Sequence, residues 1–437
     1  MKDTGAAATV RYAAVKNGRK PLMVFCWTNS KAVLHSLSAP QRVQCALPFE
    51  TRPMSTANCL LVTALIASAT PAIGQTVPTR TLTKPDAEFS EPFSYLSMIR
   101  ELKDGRLIVI DPRDKALLVL DMARGTSSPL GREGSGPGEY AVPFRLLALP
   151  GDTTAMSDMI NNRMLVIYPN ATVGGFIDPT IPAAAGAPVS FGSTSTMPSE
   201  ADSKGRMYYP GMRFRRTETG VKYVDSIPMI RWDRASGKRD TVAWMPYKNV
   251  NLVASHGNGR TTYSIPPFTG FDQMLAAPDG RVAIVHHDPY SVDYVSEDGR
   301  RTTGQPIRYE RLRITEGHKA EWRATQKGRT NVMNMGGTSI MEPGGQTTPA
   351  EWGGEYMPPF LERALMFSND GFLWIRRTGP AGQPATYDVI DRAGNPVQKV
   401  VLEKGSHLVG FGNGVVYIAR VDQDGLQYLQ KFKFAMP

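Results

Sequence analysis

Six residues beyond each of six recurring turn glycines stand Asp111, Ser157, Gly211, His286, Arg377 and Arg420, with Asp158, His287, Asp288 and Arg376 beside them. Carboxylate, imidazole and guanidinium groups gathered at one level suit an anionic or small polar ligand, or a single divalent metal ion with His286 and Asp288 among its ligands. The same groups also fit solvated loop ends and hydrogen bonds between neighbouring strands. Imidazole titrates near neutrality, so His286-His287-Asp288 has the makings of a general base. Adjacent strand residues face opposite sides, which lets at most one of the two histidines point to a common centre.

Residues 131–140, GREGSGPGEY, offer a second set. Gly134, Gly136 and Gly138 flank Ser135 and Pro137, a spacing that turns the backbone repeatedly, with a positive φ expected at Gly136. Arg132 and Glu139 can pair across the turn, so the stretch reads first as a brace and second as a ligand loop. A phosphate loop is a poor reading, because Pro137 and Pro143 oppose the helix whose first amides would hold the phosphate. Residues 76–437 contain no HExxH, CxxC, GxSxG or SxxK pattern, which leaves zincin, thiol-redox and common serine-hydrolase chemistry without support.

These side chains must be positioned by strands. Pro92-Phe93, Pro143-Phe144, Pro267-Phe268 and Pro359-Phe360 each lead to a turn, at Asp104-Gly105, Gly151, Asp279-Gly280 and Asp370-Gly371. Lys204-Gly205 is a weaker copy and Asn413-Gly414 a sixth. Asp-Gly and Asn-Gly supply the positive φ of a tight hairpin, and a β-branched or aromatic run follows each turn. A second hairpin follows most of the first ones. Four short strands per unit, repeating at roughly 45 to 55 residues, is the period of propeller blades, with a sandwich of irregular hairpins as the alternative. The last unit ends one strand short, and residues 77–84 are expected to close the ring beside residues 426–434.

The run DGRLIVID at 104–111, taken with Gly136-Pro137-Gly138-Glu139-Tyr140, resembles the six-bladed β-propeller proteins of bacteria, relatives of NHL-repeat and TolB-like propellers, over about residues 80 to 437. The resemblance implies an all-β fold of six four-stranded antiparallel blades, and export, more than any activity. Six-bladed relatives include lactonases and lyases that use a metal at the channel mouth, but their acidic and asparagine ligand set has no residue-by-residue match here. Two functions therefore stay open. One is an exported binding or interaction module, monomeric and without a cofactor, that meets a protein or a small polar ligand through its loop face. The other is a metal-dependent lactonase-like hydrolase or lyase. The candidate residues are Asp111, Arg132, Glu139, Asp158, His286, Asp288, Arg377 and Arg420.

Export is also read from the residues. An uncharged apolar run begins at Cys59 and is followed by Pro71 and by the small-x-small triplet Ala72-Ile73-Gly74, so residues 54–74 form a signal pattern with cleavage expected before Gln75. Residues 1–53 then read as an upstream leader ahead of the true start at Met54, and residues 75–437 as the propeller. The apolar run is shorter than the roughly 20 residues of a membrane span. Cys26, Cys45 and Cys59 all precede Gln75, so no disulfide is expected in the mature chain. The whole sequence has a net charge of +10, but residues 76–437 carry 42 basic and 38 acidic side chains, a balance of +4. A nucleic-acid partner loses its main support.

Two insertions interrupt the strands, at about residues 245–265 and 313–359. Within the second, residues 315–327 suit a short helix capped by Thr315, with Trp322 docking it shallowly on the rim. The Gly- and Pro-rich stretch that follows, residues 331–359, suits a lid or a plain surface loop.

Overall fold

In a computed structural model, the structure describes residues 77–180, 197–211, 214–217, 220–247, 253–257, 260–326, 330–335, 338–343, 349 and 351–436. The expected leader, signal segment and cleavage site lie outside the described residues. From residue 77 onward the chain forms six four-stranded antiparallel blades. Blade one is Met98–Glu101, Leu107–Asp111, Ala116–Asp121 and Thr126–Pro129, and blade two is Pro143–Ala148, Thr154–Asp158, Arg163–Ile167 and Val173–Ile177. Blade three is Glu200–Ala201, Met207–Pro210, Ser226–Trp232 and Arg239–Pro246, and blade four is Gln273–Ala276, Val282–His287, Tyr290–Val295 and Arg301–Thr303. Blade five is Phe360–Phe367, Leu373–Arg377, Thr386–Ile390 and Pro396–Val401. Blade six is Ser406–Gly412, Val415–Val421 and Gln427–Lys433, completed by Ala87–Glu88.

The first strand of each blade is innermost. First strands of successive blades meet one another around a central axis, while the later strands step outward. The hairpin that joins first to second strand turns at Gly105, Gly151, Gly205, Gly280, Gly371 and Gly414, with φ of 86°, 72°, 79°, 86°, 82° and 65°. A left-handed residue at each turn is what the glycines supply. Blade three departs from the Asp-Gly pattern for a local reason. Asp202 accepts the amides of Lys204 and Arg206, and Lys204 is thereby free to pair with Glu297 of blade four at 2.9 Å.

The core lies in the seams between blades. Strand side chains alternate between the two faces of a blade, so each blade feeds both of its seams. Trp374, fully buried, joins Val400, Phe411 and Phe434 between blades five and six. Ile99, Leu107, Val409 and Leu429 fill the next seam, between blades six and one.

The N-terminal segment closes the ring, but not by the strand that was expected. Thr79–Thr81, inside the expected residues 77–84, runs parallel to Pro396–Val401 as a fifth strand on blade five. The outer strand of blade six is Ala87–Glu88, antiparallel to Gln427–Lys433. The physical reason is visible in two anchors: Leu82 enters the seam between blades five and six, and Phe89 the seam between six and one. The segment therefore staples two seams, and Arg420 holds Glu88 with both guanidinium bonds at 3.0 Å.

The insertions lie between blades or between second and third strands, so they share one face with the link segments. They comprise the hairpin Phe214–Thr217 with Gly220–Tyr223, the hairpin Val253–Gly257 with Arg260–Ser264, a helix at Glu316–Gln326, and the hairpin Thr330–Met335 with Thr338–Pro343. No helix among the described residues is long and apolar enough to cross a membrane.

Candidate functional site

The second-strand residues singled out above are spread over separate blades, and most are turned to their own surroundings. Asp111, buried, accepts the amides of Tyr95 (3.0 Å), Arg113 (3.0 Å) and Asp114 (3.2 Å). Burial raises its carboxyl above the ordinary value despite these bonds. Asp158 likewise accepts hydrogen bonds in blade two, from the Ala141 and Val142 amides and from the Asn161 side-chain amide at 2.7 Å. Both carboxylates brace the segment that leads into their own blade's first strand. Arg377 plays the mirror role with a donor, reaching Pro359 O at 3.2 Å and Asp388 at 2.7 Å, and it lies against the Tyr290 ring. Ser157 is fully buried and Arg420 is taken up by the closure strand.

The 131–140 stretch brings Arg132 and Glu139 together, the only two of the candidate residues that meet in an ion pair among the described residues. Arg132 Nε donates to Glu139 Oε1 at 2.7 Å and the Gly136 amide donates to Oε2 at 2.7 Å. Arg163 donates to the carbonyls of Ser135, Gly136 and Glu139, and Asn161 to that of Gly134. The positive φ expected at Gly136 falls instead on its neighbours, Gly131 (73°), Gly134 (154°) and Gly138 (74°). The turn wraps the Glu139 carboxylate, which lies against Gly134 and Gly136.

His286 and His287 converge on a residue that the sequence did not suggest, Asp272, at the start of the first strand of blade four. Asp272 Oδ2 lies 2.6 Å from His286 Nδ1, and Oδ1 lies 2.8 Å from His287 Nδ1. His286 Nε2 lies 3.3 Å from Asp293, which Arg301 also engages at 2.6 Å. The bond to Asp272 raises the His286 pKa, partly offset by burial. Burial opposes the ionised form of Asp272, but the two histidines outweigh it and hold the carboxyl well below its usual range. Asp288 is exposed at the following turn. Among the described residues no group of three or more His, Cys, Asp or Glu is placed to hold a metal ion.

The groups that face the axis come from first strands. In blade five a register shift between Phe360 and Leu365 bulges the strand, and Arg363 takes a φ of 62° there. Bulges re-aim side chains. Arg363 reaches the ring of Phe144 on blade two, across the ring of blades, with its guanidinium carbon 5.9 Å from the centroid. Arg145 lies 5.8 Å from the same centroid and 3.8 Å from Glu200 on blade three. Phe144 and Arg145 are partly exposed and Arg363 is exposed, so they border open space. Burial raises the Glu200 carboxyl to about 7, with Arg145 and the Ser199 hydroxyl pulling the other way.

Nearer the link face, Tyr95 stacks on His407 with centroids 6.1 Å apart and an interplanar angle of 22°, and Arg113 lies over Tyr95. Burial lowers the His407 pKa, against the pull of the bond that Nε2 donates to Leu96 O at 3.1 Å. On the rim, Trp352 is stacked on Phe268 (5.3 Å, 15°) and met edge-on by Trp322 of the helix, with Lys319 and Arg323 over it. Buried His318 accepts from the Thr315 amide at 3.1 Å and donates to Gly379 O at 3.0 Å, so it fastens the helix more deeply than Trp322.

The opposite, Gly-turn end of the axis holds a cavity of ≈ 750 Å³ lined in part by Met98, Arg100, Met366 and Phe411. Arg100 is fixed there by Asp152 at 2.8 Å.

No protein-family model and no curated protein matches the chain. Among solved structures it is similar to a streptogramin B lyase, with 12% identity, 80% of this chain and 87% of that chain covered, and a TM-score of 0.35. It is similar to a member of the DUF4221 family from Bacteroides vulgatus, with 10% identity, 79% and 94% covered, and a TM-score of 0.40. It is also similar to the calcium-binding protein regucalcin from Agrobacterium tumefaciens, with 12% identity, 83% and 98% covered, and a TM-score of 0.32. Likenesses at this level add nothing to the architecture read from the strands themselves, which is that of a six-bladed β-propeller.

Proposed function

We propose that the protein is an exported binding module that takes a small anionic ligand into the link-face half of its channel. One observation carries this reading: the guanidinium groups of Arg145 and Arg363, from different blades, approach the same partly exposed ring, Phe144, to 5.8 and 5.9 Å. A carboxylate or sulfate between them gains charge-assisted hydrogen bonds from both. The ring offers an apolar face to the rest of the ligand. Tyr95 and Arg113 extend the same combination of aromatic face and cation toward the mouth.

A second reading is favoured by Glu200. A carboxyl that titrates at about 7 beside this space suits a general acid or base, which fits a hydrolase or lyase acting on an anionic substrate.

The test is a melting-temperature survey with sulfate, D-gluconate, D-galacturonate and benzoate. At least one is expected to raise the melting temperature of the wild type by a few degrees at saturation and to lose that effect in Arg145→Ala. No shift with any of them would remove the anion site. Export rests on the signal pattern at residues 54–74, and the N-terminus of secreted protein, expected at Gln75, checks it.

A further inference from the structure

Glu200 opens the first strand of blade three, with its side chain 13% exposed. Three elements face it. Arg145 of blade two lies at 3.8 Å, Ser199 Oγ of its own lead-in donates at 2.5 Å, and the backbone of Ala276 approaches from blade four. Tyr208, its cross-strand partner, gives its hydroxyl to Asp202 at 2.7 Å instead. Glu200 thus depends on Arg145 for cationic support, and Arg145 is one of the two guanidinium groups around Phe144.

An anion seated on Arg145 draws that guanidinium away from Glu200 and sets a second negative charge nearby. Both changes disfavour an ionised carboxyl. Building on the anion-binding reading above, we propose that the channel takes up its anion together with one proton, which passes from solvent to a carboxylate oxygen of Glu200 as the ligand engages Arg145. The burial of Glu200 already brings its protonation into the neutral range. Binding is then tight where Glu200 is protonated and weakens as it ionises, and the ligand is one that tolerates a neutral carboxyl donor at its side.

The experiment is calorimetric titration of sulfate and D-galacturonate, which keep their charge across the range, into wild type and Glu200→Gln from about pH 6 to about pH 8.5, in buffers of different protonation enthalpy. For the wild type the dissociation constant is expected to rise about tenfold per pH unit above about pH 7, with proton uptake approaching one per ligand. Glu200→Gln should bind with no uptake and with an affinity at about pH 8 near that of the wild type at about pH 6. Binding by the wild type with a flat profile and no uptake would overturn the proton coupling and leave the anion site standing. No binding of either anion at the acid end would overturn both.

Discussion

Arg363 and Phe144 belong to blades that face each other across the ring, yet the guanidinium carbon of one lies 5.9 Å from the ring centroid of the other. The contact spans the axis because the inner strand of blade five is bulged, with Arg363 at φ 62°. Straightening this strand is expected to withdraw the side chain. Arg363→Ala should leave the melting temperature within a few degrees of wild type, since the residue is exposed, while weakening anion binding about tenfold or more. Equal binding by the variant would place the anion elsewhere.

Closure by two staples gives the next prediction. Phe89→Ala removes a buried ring from the seam between blades six and one and should cost about 3 to 5 kcal/mol, and Leu82→Ala about 2 to 5 kcal/mol in the adjacent seam. Removal of residues 77–81 alone should be tolerated better than either, because the outer strand of blade six survives it. Urea unfolding of the three variants orders them.

How far the sequence led can be judged from these residues. The turn glycines were legible because a tight hairpin needs positive φ, and Gly105, Gly280 and Gly371 follow aspartates that announce it. The closure was half legible: an N-terminal strand does complete blade six, but which of two short runs does so depends on Leu82 and Phe89 finding different seams. Counting forward from the glycines reached Asp111 and Asp158, which brace lead-in segments. Counting backward would have found Arg100, Arg145, Glu200, Arg363 and His407, charged or polar residues on strands that one expects to be apolar. The bulge that aims Arg363 has no sequence signal, and Asp272 could not be tied to His286 without the fold.

The 131–140 brace should be sensitive at Gly134. Gly134 has φ 154°, and a side chain there would fall on the Glu139 carboxylate, so Gly134→Val should destabilise by about 1 to 3 kcal/mol. Arg132 is 81% exposed, and Arg132→Ala should cost less than about 1 kcal/mol. Arg163→Ala, which strips donors from three loop carbonyls, should cost more than Arg132→Ala. Equilibrium denaturation compares them directly.

The cluster around Asp272 predicts a pH dependence at the alkaline side. The His286 pKa is raised from 6.5, so its stabilising contribution is complete below 6.5 and is lost as pH rises through the elevated value. Asp272, depressed below its ordinary 3.8, contributes above that value and loses its share as pH falls. Wild-type stability to urea should therefore decline as pH rises above about 6.5, and His286→Gln should be flatter over the same range. An identical decline in the variant would assign the loss to other groups.

The most direct test of the anion site is a side-by-side titration of sulfate, D-gluconate, D-galacturonate and benzoate into wild type, Arg145→Ala, Arg363→Ala and Arg132→Ala at about pH 6, below the value of about 7 to which burial raises Glu200. Saturable binding by the wild type to at least one anion, retained in Arg132→Ala and lost in both channel variants, is the result expected. Binding that survives Arg145→Ala and Arg363→Ala together, or no binding by the wild type, would contradict it.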